Sequence, residues 1–155
     1  MEILNNYLVW AAAAVLLVGR QFVPAPLRPA SLLGLPLVMG FFGVQAVVKA
    51  PPETALAVLV FSADAAAAAV LGLARGATMR IWRAADGTWM RRATPVTLGL
   101  WAVSVAVRIA LGLAGRGQVP LDTITFFLAI TFAAQNLATW LRMGGVRMLA
   151  AERVR

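Results

Sequence analysis

The chain of 155 residues contains no cysteine and no histidine. Their absence removes disulfides, thiol chemistry, thiolate or imidazole metal sites and histidine-ligated haem. It also removes the usual proton shuttle near neutral pH. Charge is scarce too: 13% of the residues are charged, and only six are carboxylates. Six carboxylates spread along a chain make a poor set of oxygen ligands, so no metal and no cofactor is expected. Lysine is almost missing, Lys49 standing against thirteen arginines. That bias, with the abundance of alanine, reflects a GC-rich genome and says nothing about mechanism.

What abounds is apolar. The apolar fraction is 61%, against about 45–50% in soluble domains. A soluble bundle with five buried core helices would need more polar surface to cover its interior. The apolar residues also fall in runs long enough to cross a bilayer. The first run covers residues 3–19 and ends at Arg20 and the prolines Pro24, Pro26 and Pro29. Its first charge is Glu2, and no small-residue cleavage site follows a basic start, so it reads as a retained helix. The second covers 31–50, with Pro36 in its first turns and Lys49 and Pro51-Pro52 at its close. The third covers 53–74, includes the alanine run Ala65 to Ala69 and stops at Arg75-Gly76. The fourth covers 95–114, and the fifth covers 120–143, from Pro120 to the break at Gly144-Gly145. A basic tail occupies 144–155.

The only sizeable loop, 75–94, places Asp86-Gly87 between two β-capable runs, which predicts a hairpin. Trp82 and Trp89 in those runs suit the headgroup level, with Arg80, Arg83, Arg91 and Arg92 around them to bind headgroups. The expected fold class is therefore an all-α integral membrane protein. It is a five-transmembrane-helix bundle forming one domain over 1–155, with a short β-hairpin-like cytoplasmic loop.

With five spans the loops alternate sides. Arg20, Arg28, Arg75, Arg80, Arg83, Arg91, Arg92, Arg142, Arg147, Arg153 and Arg155 fall on one side, and only Lys49 and Arg116 on the other. The arginine-rich side is expected to be cytoplasmic, which puts the amino terminus outside a bacterial inner membrane and the carboxyl terminus inside. The same distribution explains the net charge of +8, with anionic headgroups as partners and no nucleic acid.

Polar groups at membrane depth are the candidates for function. A central carboxylate costs about 2.5–3.5 kcal/mol on insertion scales, so Asp64 needs a partner. Counted from the outer helix ends at 1.5 Å per residue, Asp64 lies about 16 Å deep and Arg108 about 9 Å, within reach of an arginine side chain. Thr97, Ser104 and Arg108 share one face of the fourth segment, with Trp101 beside them. Gly99, Ala102, Ala106 and Ala110 form a small-residue stripe on its other side, fit for close helix packing. Gly40 and Gly43 add to it on the second segment. On the fifth, Asp122, Thr125, Ala129, Phe132, Asn136 and Thr139 line up, with Gln135 at the margin. Asp122 sits where it can favour the positive helix end, and the Asn136 amide needs a partner. Asn5, Asn6 and Gln45 add polar groups on the first and second segments, of which Asn5 and Asn6 read as interhelical hydrogen bonders.

This layout resembles the CcdC-like family of small bacterial membrane proteins, named for an association with cytochrome c biogenesis genes. The resemblance runs from Arg20 to Arg142. It rests on Arg28-Pro29 before a helix with Leu35-Pro36, the turn Ala50-Pro51-Pro52-Glu53 and the insert around Asp86-Gly87. Arg91-Arg92 lead into a helix that carries Arg108, and Arg142 closes the last. It implies a small polytopic inner-membrane protein with an accessory part in cytochrome c maturation.

Three functions fit these features. The leading one is an accessory or scaffold protein that binds other transmembrane helices, a second copy of itself included. The next is a small dimeric transporter or ion-coupled carrier that uses Asp64 near Arg108. The third is a membrane enzyme on a lipid-soluble substrate, with Asp64 or Asp122 as general acid, although no nucleophile–base set identifies catalytic residues. A dry, close-packed Asp64–Arg108 pair favours the scaffold. A cavity shared with Thr97, Ser104 or Asn136 favours the carrier or the enzyme.

Overall fold

The computed structural model describes residues 16, 19–27, 29–115 and 123–144. Among them, seven elements follow in chain order: β1 (Ala25–Pro26), α1 (Pro29–Lys49), α2 (Ala55–Thr78), β2 (Arg80–Arg83), β3 (Trp89–Arg92), α3 (Pro95–Ala114) and α4 (Ile124–Arg142). All four helices contain a stretch long and apolar enough to cross a membrane, which makes this a membrane protein by length and composition. The count supported among the described residues is four. The expected first span, 3–19, lies outside them apart from Leu16 and Gly19, as do Asn5, Asn6, Asp122, Arg116 and the basic tail after Gly144.

Local signals set the helix ends. The Thr54 hydroxyl accepts from the Ala57 amide at 3.0 Å and starts α2. Thr94 and Thr97 form a reciprocal capping box ahead of α3, with Pro95 in its first turn. α2 runs to Thr78, a turn beyond the expected stop at residue 74. The Arg75-Gly76 pair reads as a terminator in sequence, but Gly76 serves helix packing instead. Four hydrogen bonds hold the extended end. Thr78 and the Met79 amide both donate to the Arg75 carbonyl, while Arg142 donates to the carbonyls of Gly76 (2.9 Å) and Met79 (2.8 Å). A cation at that end also meets the negative pole of the helix dipole.

Pro36 lies well inside α1, because the helix starts at Pro29 rather than at residue 31. A proline there supplies no N–H to the carbonyl four residues back, which is that of Leu32. Asn136 of α4 donates to that carbonyl at 2.7 Å. A side chain from a neighbouring helix thus replaces the missing backbone donor, as apolar surroundings demand.

The loop folds as expected and gains a strand. β2 pairs antiparallel with β3, Arg83 opposite Trp89. At the tip Gly87 has φ of +83°, a left-handed conformation suited to glycine. The Thr88 amide donates to Asp86 at 2.9 Å, and this hydrogen bonding holds the Asp86 carboxyl below its ordinary value. β1 adds to the other edge of β3, giving the order β1-β3-β2. Pro26 is tolerated because β1 is an edge strand.

α4 is the centre of the bundle. It packs against α1 and α2, and α2 also packs against α3. Of the α4 span 39% is buried, but of α3 only 6%. Contact with α4 is close because Gly43 of α1 and Gly72 and Gly76 of α2 press directly on its backbone. A Cβ added at any of the three would collide with α4, at Phe126, Thr131 and Gln135 respectively. Gly72 and Gly76, four apart, form the small-residue seam that apolar surroundings require.

Candidate functional site

The expected pair forms. Arg108 donates to Asp64 Oδ2 at 2.7 Å, and its guanidinium carbon lies 4.5 Å from the Phe127 ring centroid. Asp64 is buried and Arg108 half-buried. The pair is not sealed in side chains. It borders a cavity of about 600 Å³ between α2, α3 and α4, lined also by Gly19 and Phe22 of the segment before β1. Ala67, Ala68, Leu71, Leu98, Phe127, Leu128 and Phe132 give it apolar walls. Ser104 lines it as expected, its hydroxyl donating to the Leu100 carbonyl at 2.8 Å.

Arg75 also lines this cavity, and sequence reasoning missed it there, taking it for a loop cation. It has no exposed surface. One Nη1 donates to Ser104 at 3.0 Å, and the guanidinium carbon stacks 4.0 Å from the centroid of Trp101. Trp101 is held in turn by its indole N–H, which donates to Gln21 at 3.3 Å. The periodicity signal was available: Trp101 and Ser104 share a face of α3, and the Gly72–Gly76 spacing places α2 deep in the bundle beyond residue 74.

Other expected members stand elsewhere. Thr97 is fully buried in the cap of α3, within hydrogen-bonding distance of Thr78 (3.3 Å) and Thr94 (3.1 Å). Asn136 lies beside a second cavity of about 370 Å³ at the sheet end, lined by Arg20, Gln21, Arg91 and Gln135 among others. Its Oδ1 accepts from Arg91 at 2.8 Å. Arg91 therefore turns inward rather than toward headgroups, and burial lowers its affinity for a proton. Gln135 is buried, with its amide 3.9 Å from the Met79 sulfur. Thr125 is half-buried on α4 and has a bonding partner.

Arg80, Arg83 and Arg92 remain exposed on the sheet, while Trp82 and Trp89 are half-buried. Arg80 and Arg92 sit directly opposite each other across β2 and β3. Like charges so placed repel. Gly99, Ala102, Ala106 and Ala110 of the small-residue stripe are all exposed, and Ala102 also lines the first cavity. Of its additions, Gly43 packs on α4, and Gly40 lies in ordinary contact with Ala129.

Among the described residues, no three acidic side chains gather as metal ligands. The cavity can hold an apolar body and present one balanced ion pair, with the buried Arg75 at its wall. No protein-family model matches the chain, and no curated protein or solved structure matches it either.

Proposed function

We propose that this is a small bacterial inner-membrane carrier that takes a lipid-soluble ligand between α2, α3 and α4. The observation behind this reading is the cavity of about 600 Å³ in which apolar walls meet the Asp64–Arg108 pair, Ser104 and Arg75. Protein interiors leave few voids larger than a water molecule, and this volume falls within the range of about 300–1,000 Å³ used for small ligands. In this reading five segments span the membrane. The end that gathers the sheet, Arg80, Arg83, Arg92 and Arg142 faces the cytoplasm, where anionic headgroups favour it, and the amino terminus lies outside. The CcdC-like resemblance adds an accessory part in cytochrome c maturation. Enzymatic use of Asp64 is disfavoured, because its carboxylate is engaged by Arg108.

Native mass spectrometry of the full chain released from its own membranes tests the carrier reading. A discrete bound mass is expected, and Ala67→Phe, which fills the cavity, should reduce its occupancy about tenfold, equivalent to about 1.4 kcal/mol. Bare protein in every preparation would sink the reading.

A second reading, an accessory protein that binds a helix along α3, is favoured by the exposed stripe. Nothing among the described residues lies within 4 Å of a Cβ built at Gly99. The chain has no native cysteine, so Ala106→Cys gives a clean probe. Oxidation in native membranes is expected to trap a dimer through this position. A chain that stays monomeric and captures no other protein would remove this reading.

A further inference from the structure

We propose that the cavity is selective for a single-chain amphipathic carboxylate, of the fatty-acid kind, whose head group docks on Arg75. This rests on the carrier reading and adds the chemical class of its ligand.

One guanidinium, that of Arg75, has three donor positions. Nη1 is engaged by Ser104, and one face of the plane is covered by Trp101. Nε and Nη2 are buried and have no hydrogen-bond partner among the described residues. In a guanidinium the Nε–H and the Nη2–H project side by side from one edge. That edge matches the two oxygens of a carboxylate and binds them bidentately. The unused donors are thus an adjacent pair, shaped for one kind of group.

Charge points the same way. The ion pair among the described residues joins Asp64 to Arg108, so among them Arg75 has no carboxylate of its own. A buried cation without a counterion is costly in apolar surroundings. Both donors are covered in the unliganded chain, so an incoming monoanion removes that cost and satisfies them at once when it displaces the side chains over them.

The rest of the cavity defines the rest of the ligand. Arg75 and Asp64 line the same cavity from one helix, eleven residues apart, about 16 Å along its axis. Leu71, Phe127 and Leu128 supply apolar wall, which suits an alkyl tail running from Arg75 toward Asp64. A tetrahedral phosphate fits less well. Ser104 already occupies the remaining guanidinium nitrogen, so its extra oxygens would face hydrocarbon.

The test is a titration of the full chain in mild detergent with palmitate, hexadecanol or dipalmitoyl phosphatidylglycerol, with occupancy read by native mass spectrometry. Palmitate is expected to bind about 10- to 100-fold more tightly than hexadecanol, as charge-assisted hydrogen bonds imply. Arg75→Gln should abolish that preference, while Arg75→Lys, which keeps charge but loses the paired donors, should retain only part of it. Equal binding of acid and alcohol by the unmodified chain would overturn carboxylate selectivity and leave the carrier reading standing. Preference for the phosphatidylglycerol would overturn it in favour of a two-chain lipid. Failure of all three to bind would remove the carrier reading itself. The acid–alcohol comparison needs no variant, so it decides the matter even if Arg75→Gln does not fold.

Discussion

Asp64→Leu is expected to destabilise the bundle by about 3 kcal/mol, the low end for breaking a buried ion pair by removing one partner. The loss arises less from the missing attraction than from Arg108, left charged beside apolar walls. The low end applies because the guanidinium keeps its contact with Phe127 and 25% of its side-chain surface. The double variant Asp64→Leu/Arg108→Met should recover most of the loss, since replacing a buried pair by apolar side chains is often neutral. Unfolding of the four proteins in mixed detergent completes a double-mutant cycle. If the double variant were as unstable as Asp64→Leu alone, the pair would not be what holds α2 to α3.

Gly76→Ala should have an effect of similar size, with the opposite sign from helix propensity. In an isolated helix the change stabilises by about 1 kcal/mol. Here the new methyl would overlap the Gln135 carbonyl oxygen and lie 2.7 Å from the Ala138 Cβ. Both obstacles belong to α4, and the first is backbone, so relief requires the helices to separate. Overpacking of this kind costs about 1–3 kcal/mol, and the upper end is expected because the seam repeats at Gly72. Gly99→Ala, in open space, serves as the control and should be neutral or stabilising. Equal behaviour of the two variants in thermal unfolding would contradict the close approach of α2 and α4.

The helices were legible because apolar runs of membrane length are a strong signal, and the Asp64–Arg108 contact followed from counting depth along antiparallel segments. The hairpin followed from Asp86-Gly87. The errors share a cause: sequence assigns polar residues to faces but not to neighbours. Thr97 shares a face with Ser104 and Arg108, yet it belongs to the α3 cap because Thr94 lies three residues before it. Asn136 looked like a cavity residue, but its first obligation is the Leu32 carbonyl that Pro36 leaves without a donor. Arg75 was the largest miss. An arginine next to a glycine near a helix end usually marks a boundary, and only the spacing of Gly72 and Gly76 reveals that both lie in a packed seam. The stripe on α3 shows the converse, since its spacing is right and no described helix uses it.

The position of α4 at the centre of the bundle has a consequence for synthesis. α1, α2 and α3 precede α4 along the chain, yet α1 and α2 both pack on it, and Arg142 at its end closes α2. While the ribosome is still making α4, the glycine seam of α2 has nothing to close on and the Leu32 carbonyl has no Asn136. The packing of α1 and α2 therefore cannot be completed until α4 has been made. A nascent chain stalled before Ile124 would present those unfinished surfaces to the proteases and chaperones that police the membrane.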